Sequence, residues 1–106
     1  MSTHVEVEVE EIEIEEHTKK VNGKEKPPKA KKYIIRVDKT KFTLEVTAMT
    51  GREILALASK TPVEQYKLTQ KMHGGTAKTI GLDDKVDFTE PGVERFMTLK
   101  LDQTEG

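Results

Sequence analysis

Between Tyr33 and Leu101 the apolar side chains come in short runs of alternating period, interrupted once by a stretch of helical period. Alternate residues of a strand share a face, whereas a helix brings i, i+3 and i+4 together, so each run admits only one element type. Tyr33-Ile34-Ile35-Arg36-Val37 reads as a strand, and Asp38-Lys39-Thr40-Lys41 as a tight hairpin connection. Lys41 to Thr47 reads as a second strand, with Phe42, Leu44 and Val46 on one face. Thr50-Gly51-Arg52-Glu53 has the spacing of a capping box, in which the threonine hydroxyl and the glutamate carboxylate satisfy free amides reciprocally. The helix it opens places Ile54, Leu57 and Ala58 on one face with Leu55 beside them, and must end before Pro62.

After the helix the alternation resumes. Gln65 to Met72, with Tyr66 and Leu68, is a third strand; His73-Gly74-Gly75 is a turn; Ala77 to Leu82 is a short fourth strand. Val86 and Phe88 return to the core, Thr89-Glu90-Pro91-Gly92 turns the chain, and Val93 to Leu101 is the last strand, with Met97, Leu99 and Leu101 on one side. Phe96 is out of phase with that set, and two placements stay open: the opposite sheet face, or beneath a loop. A mixed sheet of four to five strands packed on one helix is the two-layer α+β solution to this order.

The first third of the chain is different. Residues 5–16 read VEVEVEEIEIEE, so Val5, Val7 and Val9, then Ile12 and Ile14, alternate with glutamates. Alternating β-branched residues favour a strand. The phase slips at Glu10-Glu11, where a β-bulge would restore one face. Residues 18–32, TKKVNGKEKPPKAKK, form a basic linker with a turn at Asn22-Gly23 and a break at Pro27-Pro28. The division is thus an acidic strand-like extension (1–17), a linker (18–32), a domain (33–101) and a tail (102–106). An isolated strand is unstable, so the extension is expected to be either a free, disordered tail or docked on a sheet edge. The linker, at about 3.3 Å per residue, spans at most about 50 Å and reaches its own domain or a neighbour. Docking in trans, the favoured arrangement, makes the chain a homo-oligomer, with Val5, Val7, Val9, Ile12 and Ile14 as the self-assembly set and glutamates facing linker lysines of the next copy. Such head-to-tail contacts close into rings or run on as filaments.

The bulk composition narrows the classes. The 106 residues fit one domain with an extension, and the formal net charge of −1 argues against a dedicated nucleic-acid binder. No cysteine is present, which removes disulfides, thiolate metal sites and thiol nucleophiles. No apolar run approaches the roughly 20 residues that cross a bilayer, and no basic-then-apolar leader opens the chain, so a cytoplasmic protein is expected. His4, His17 and His73 are too dispersed for a metal site, and Asp83, Asp84 and Asp87 read as a polar loop. With no triad and no phosphate loop, the chain is expected to be neither an enzyme nor the holder of a cofactor.

Two segments carry a family resemblance. Arg52-Glu53-Ile54-Leu55-Ala56-Leu57-Ala58 and Val86-Asp87-Phe88-Thr89-Glu90-Pro91-Gly92-Val93-Glu94-Arg95-Phe96 resemble the signature of bacterial multiubiquitin-type, ubiquitin-like domains. The resemblance covers residues 33–101 and implies a ubiquitin-like β-grasp fold with an added N-terminal strand and linker. It also implies a protein modifier with activating-enzyme-like, conjugating-enzyme-like and peptidase partners, and target proteins joined through an isopeptide-type bond. On that reading Gly106 is the conjugated residue, adenylated by a partner that consumes ATP, and Asp102, Gln103, Thr104 and Glu105 are the tail that enters the enzyme. The chain departs from paired-glycine modifiers in ending Glu105-Gly106, and it holds one such unit rather than a tandem array. The rival reading is a non-conjugated adaptor that binds partners by adding strands to its sheet edges.

Overall fold

The structure, a computed structural model, describes residues 9–101; Val5, Val7 and the tail residues Asp102 to Gly106 lie outside the described residues. In chain order it forms β1 (Val9–Glu13), α1 (Ile14–Lys20), β2 (Ala30–Val37), β3 (Thr40–Leu44), β4 (Ala48–Thr50) and α2 (Gly51–Leu57). A 3-10 turn (Val63–Gln65), β5 (Tyr66–Met72), β6 (Ala77–Ile80), β7 (Lys85–Asp87) and β8 (Val93–Lys100) complete it. The main sheet has six strands in the order β1-β2-β8-β5-β6, with β3 on the other edge of β2, and β4 and β7 form a separate pair. Five of these strands make up the expected mixed sheet, and β1 is the added N-terminal strand. The β2–β3 hairpin, the α2 crossover and the parallel relation of β2 to β8 make the ubiquitin-like β-grasp, an α+β fold.

One sheet face and α2 enclose the core. Tyr33, Ile35 and Val37 alternate inward along β2, Leu44, Leu68 and Ile80 join them, and Ile54 and Leu55 of α2 close the layer. Both halves of the Thr50–Glu53 capping box form, and a backbone hydrogen bond from Lys60 to the Leu55 carbonyl (2.8 Å) ends the helix ahead of Pro62. Burial centres on Ile54 and Leu55, while Leu57 and Ala58 are half-buried. The helix N-terminus is tied to the 81–84 loop, with Gly51 donating to the Asp84 carbonyl at 3.0 Å and Arg52 to the Leu82 carbonyl at 2.9 Å. His73-Gly74-Gly75 makes the β5–β6 turn as expected, with both glycines at φ +92°.

Three expectations are corrected. β3 stops at Leu44, and Val46, expected inside, is 49 % exposed. In β8 the phase is reversed from the set led by Met97: Phe96 is fully buried, while Met97, Leu99 and Leu101 face outward. A strand sends only one alternate set inward. The larger Phe96 ring takes that place in an edge-to-face contact with Phe88, centroids 6.1 Å apart.

The third correction concerns the N-terminal division. The extension is a strand only over Val9–Glu13 and turns helical at Ile14, so α1 crosses the expected 17/18 boundary, and residues 30–32 of the expected linker belong to β2. Continued as a strand, Ile14 would share a face with Ile12; the helix instead turns it into the core, 1 % exposed. Glu13 caps the helix by accepting from the Glu16 amide at 2.9 Å, Glu15 and Glu16 sit in the first turn, and Lys19 and Lys20 in the last. Each charge thereby complements the helix dipole. No bulge forms at Glu10-Glu11: Val9, Glu11, Ile12 and Glu13 pair with Ala30, Lys32, Tyr33 and Ile34 in unbroken parallel register. Within this single chain, therefore, the extension docks on its own domain, on the edge of β2 that β8 also meets further along at Val37 and Phe96.

Candidate functional site

The docked extension and the outgoing end of β8 are the two places where exposed or charged chemistry concentrates. β1 occupies the first half of one β2 edge, and α1 lies against β8. Arg36 alternates with the buried Ile35 and Val37, and Arg95 precedes the buried Phe96, so both guanidinium groups stand on the outer side of the sheet. There they meet the extension's carboxylates. Arg95 donates to Glu15 Oε2 from Nη2 at 2.6 Å and from Nε at 3.1 Å, Lys19 Nζ lies 3.0 Å from the same oxygen, and Arg36 Nε lies 3.3 Å from Glu13 and 3.5 Å from Glu15. Thr18 Oγ1 donates to the Val93 carbonyl at 2.5 Å. Glu15 is 2 % exposed. Burial works to raise its pKa, but the Lys19 and Arg95 contacts outweigh burial and hold the carboxyl below its ordinary value. The extension is thus pinned by an ionised group removed from water.

Of the expected self-assembly set, Ile14 is in the core, and Val9 and Ile12 are half-buried against it. Glu10 pairs with Lys31 of the same chain at 3.6 Å, which is an exposed contact of little weight. Glu15, Thr18, Arg36 and Arg95 were not singled out by the sequence, because only the tertiary docking brings them together.

The end of β8 is held on both sides. The Asp38 carboxylate accepts from the Thr98 amide at 2.9 Å and from its hydroxyl at 2.6 Å, and the Leu101 amide donates to the Gln65 carbonyl at 2.8 Å. The chain is therefore held in place up to Leu101, the last described residue. The outward side chains of this last stretch are Met97, Leu99 and Leu101.

The acidic loop residues make turns. Asp84 accepts from the Gly81 amide at 2.7 Å, and Asp83 faces Arg52 at 3.4 Å. Asp87 accepts from Thr89, through its amide (2.8 Å) and its hydroxyl (2.6 Å), and those bonds hold its carboxyl below the usual range. Among the described residues, no group of three or more histidine and acidic side chains is placed to hold a metal, and no helix is long and apolar enough to cross a membrane.

Over residues 33–100 the sequence matches the multiubiquitin family, and the chain belongs to that family. No curated protein and no solved structure gives a match.

Proposed function

We propose that this multiubiquitin-family chain is a bacterial, cytoplasmic protein modifier used through the carboxylate of Gly106. The observation that supports this most is the family match over residues 33–100, whose last strand, held by Asp38 and Gln65, is followed in sequence by the polar run Asp102 to Glu105 and by a glycine, which has no Cβ to hinder its carboxylate. In the chemistry proposed, a partner activating enzyme brings the Gly106 carboxylate to the α-phosphorus of ATP. An acyl-adenylate forms and pyrophosphate leaves. A conjugating partner then presents a target amine, whose attack on the acyl carbon expels AMP and forms the amide. A peptidase partner would reverse the bond with water. The modifier supplies the acyl group alone, carries no catalytic residue and binds no cofactor of its own. Asp102, Gln103, Thr104 and Glu105 line the enzyme's channel in this reading, and Glu105, one residue from the reacting carboxylate, calls for a cation in that channel.

Self-assembly is a further part of the proposal. The extension that docks on its own β2 would, in an oligomer, dock on the same edge of the next copy, with residues 21–29 between α1 and β2 reaching across. The second reading, an unconjugated adaptor, is favoured by the outer edges of β3 and β6, which no strand covers among the described residues. ATP–pyrophosphate exchange with a ubiquitin-activating type of enzyme from the same organism separates the two. Exchange that needs the chain and disappears when Gly106 is removed supports a modifier; an exchange rate indifferent to Gly106 leaves the adaptor.

A further inference from the structure

We propose that the cleft between the inner face of the β5–β6 hairpin and β7, with the Gln70 side chain at its floor, is a recognition site for a glutamine side chain carried by an extended segment of a partner protein. The β5–β6 register sets Gln70 opposite Lys78 and Leu68 opposite Ile80. Directly opposed residues share a sheet face, and Leu68 and Ile80 are both buried, so Gln70 and Lys78 also lie on the inner face. Lys78 is nonetheless exposed: a cleft of about 350 Å³ opens there between the hairpin and residues 84–90. Of its lining residues, Gln70, Ile80 and Val86 are buried and form the floor, and Lys78, Lys85 and Glu90 are exposed and form the rim. Beyond β6 the sheet has no further strand among the described residues, so no strand closes the cleft on that side.

The floor is built around an amide whose hydrogen bonding is incomplete. Gln70 is 4 % exposed. Its Nε2 donates to Met72 Sδ at 3.0 Å, and a thioether is a weak acceptor. Its side-chain carbonyl oxygen accepts from no group among the described residues and keeps access to solvent. Burying a polar group without full partners is a net cost, and the same strand face carries a leucine two residues earlier, at Leu68. Packing alone therefore favours an apolar side chain at position 70, and an amide there is accounted for by a ligand that completes it.

That ligand must donate to the Gln70 oxygen and accept from its nitrogen, and a primary amide does both. The rim holds charges of both signs, so a carboxylate or an ammonium group meets a like charge and also loses water against a neutral floor. Asp84 and Asp87, the other carboxylates of the cleft, already accept from Gly81 and Thr89. The methylenes of a glutamine suit Ile80 and Val86. The volume lies at the low end for ligand pockets, which fits one side chain better than a cofactor. The backbone of the segment has a place as well. The outer edge of β6 is uncovered among the described residues, and in a strand added there the residue level with Lys78 or Ile80 faces the cleft. No residue of the extension or of the tail lines the cleft, and the inference holds whether or not Gly106 is conjugated.

The test uses the full chain, isotope-labelled for NMR, and three synthetic peptides that alternate threonine and valine about a central residue: glutamine in the first, glutamate in the second, leucine in the third. The glutamine peptide is expected to shift the Gln70 side-chain amide together with the Lys78 and Ile80 backbone amides, and the other two to bind about tenfold more weakly. Gln70→Leu is expected to remove the preference for glutamine and to leave the thermal midpoint unchanged or raised. A midpoint lowered by that variant would make Gln70 a structural residue and overturn the site. Equal response to the three peptides, shifts confined to the β3 edge, or a Gln70 amide that does not respond would overturn it too. So would concentration-dependent shifts of that amide in the free chain, which would make a second copy the occupant. Because no ATP or enzyme is involved, a failed conjugation with intact peptide binding, or the reverse, tells the two proposals apart.

Discussion

Glu15 lies in a run where glutamates alternate with valine and isoleucine, and nothing in that run separates it from its neighbours. Folding buries it between Lys19 and Arg95 and leaves the carboxyl with a lowered pKa. A lowered pKa means that the folded chain binds the proton less tightly than the unfolded one. Glu15's contribution is therefore complete above the ordinary glutamate pKa and is lost as pH falls through the lowered folded value. Hydrogen-exchange protection of the β1 and α1 amides is expected to fall in that acid window, and Glu15→Gln to remove this dependence. The same variant is expected to cost roughly 2 kcal/mol in urea unfolding, less than for a fully buried pair because Arg95 and Lys19 stay partly wet. Gly51 is decided by sterics. A Cβ there would lie 2.3 Å from the Gly81 carbonyl oxygen, whereas one at Gly74 would meet nothing within 4 Å. Gly51→Ala is expected to lower stability by about 3 kcal/mol, and Gly74→Ala by about 1–2 kcal/mol through its positive φ alone. Equal effects at the two glycines would contradict the close approach. Neither burial nor close approach is a local property, so the sequence showed the capping threonine at 50 and not the glycine constraint beside it.

The extension is the element on which sequence and structure part most. Its β-branched alternation reads as a strand throughout, and that holds to Glu13. The helix after it had a local sign: two glutamates followed by lysines three and four residues on, the charge order that suits a helix dipole. The alternation outweighed it because Ile12 and Ile14 fit a strand face equally well. β8 is the second case. Periodicity alone shows that two sets alternate, and which set faces inward depends on Phe88, which meets Phe96 across the core. Ile14 makes the extension part of the core rather than an appendage. Removing residues 1–20 is therefore expected to destabilise the β-grasp domain by about 3 kcal/mol, the usual scale for emptying a buried isoleucine site, and to lower its thermal midpoint. A melt unchanged by the truncation would show that the extension is not integral. Light scattering on Ile14→Ala, which loosens docking and keeps the chain length, reads assembly separately: a trans-docked oligomer should dissociate, and a particle mass that stays the same would remove strand exchange from the account.

At the scale of the whole molecule the order hairpin, helix, short strands and long final strand was legible, because turn residues and the Thr50–Glu53 capping box mark the boundaries locally. The β-grasp and the multiubiquitin family follow from residues 33–100. What the sequence did not show is that the final strand presents an apolar face beside a basic one and is clamped by Asp38 and Gln65 where it leaves the sheet. The account's central claim is that the carboxylate of Gly106 is the reacting group. The most direct measurement is intact-mass spectrometry of the chain after incubation with ATP, candidate activating and conjugating enzymes from the same organism and a protein target. The account predicts a new species joining chain and target with loss of water, its cross-link mapped to Gly106 and absent when Gly106 is deleted. A conjugate that persists without Gly106, or one mapped to another residue, would contradict it.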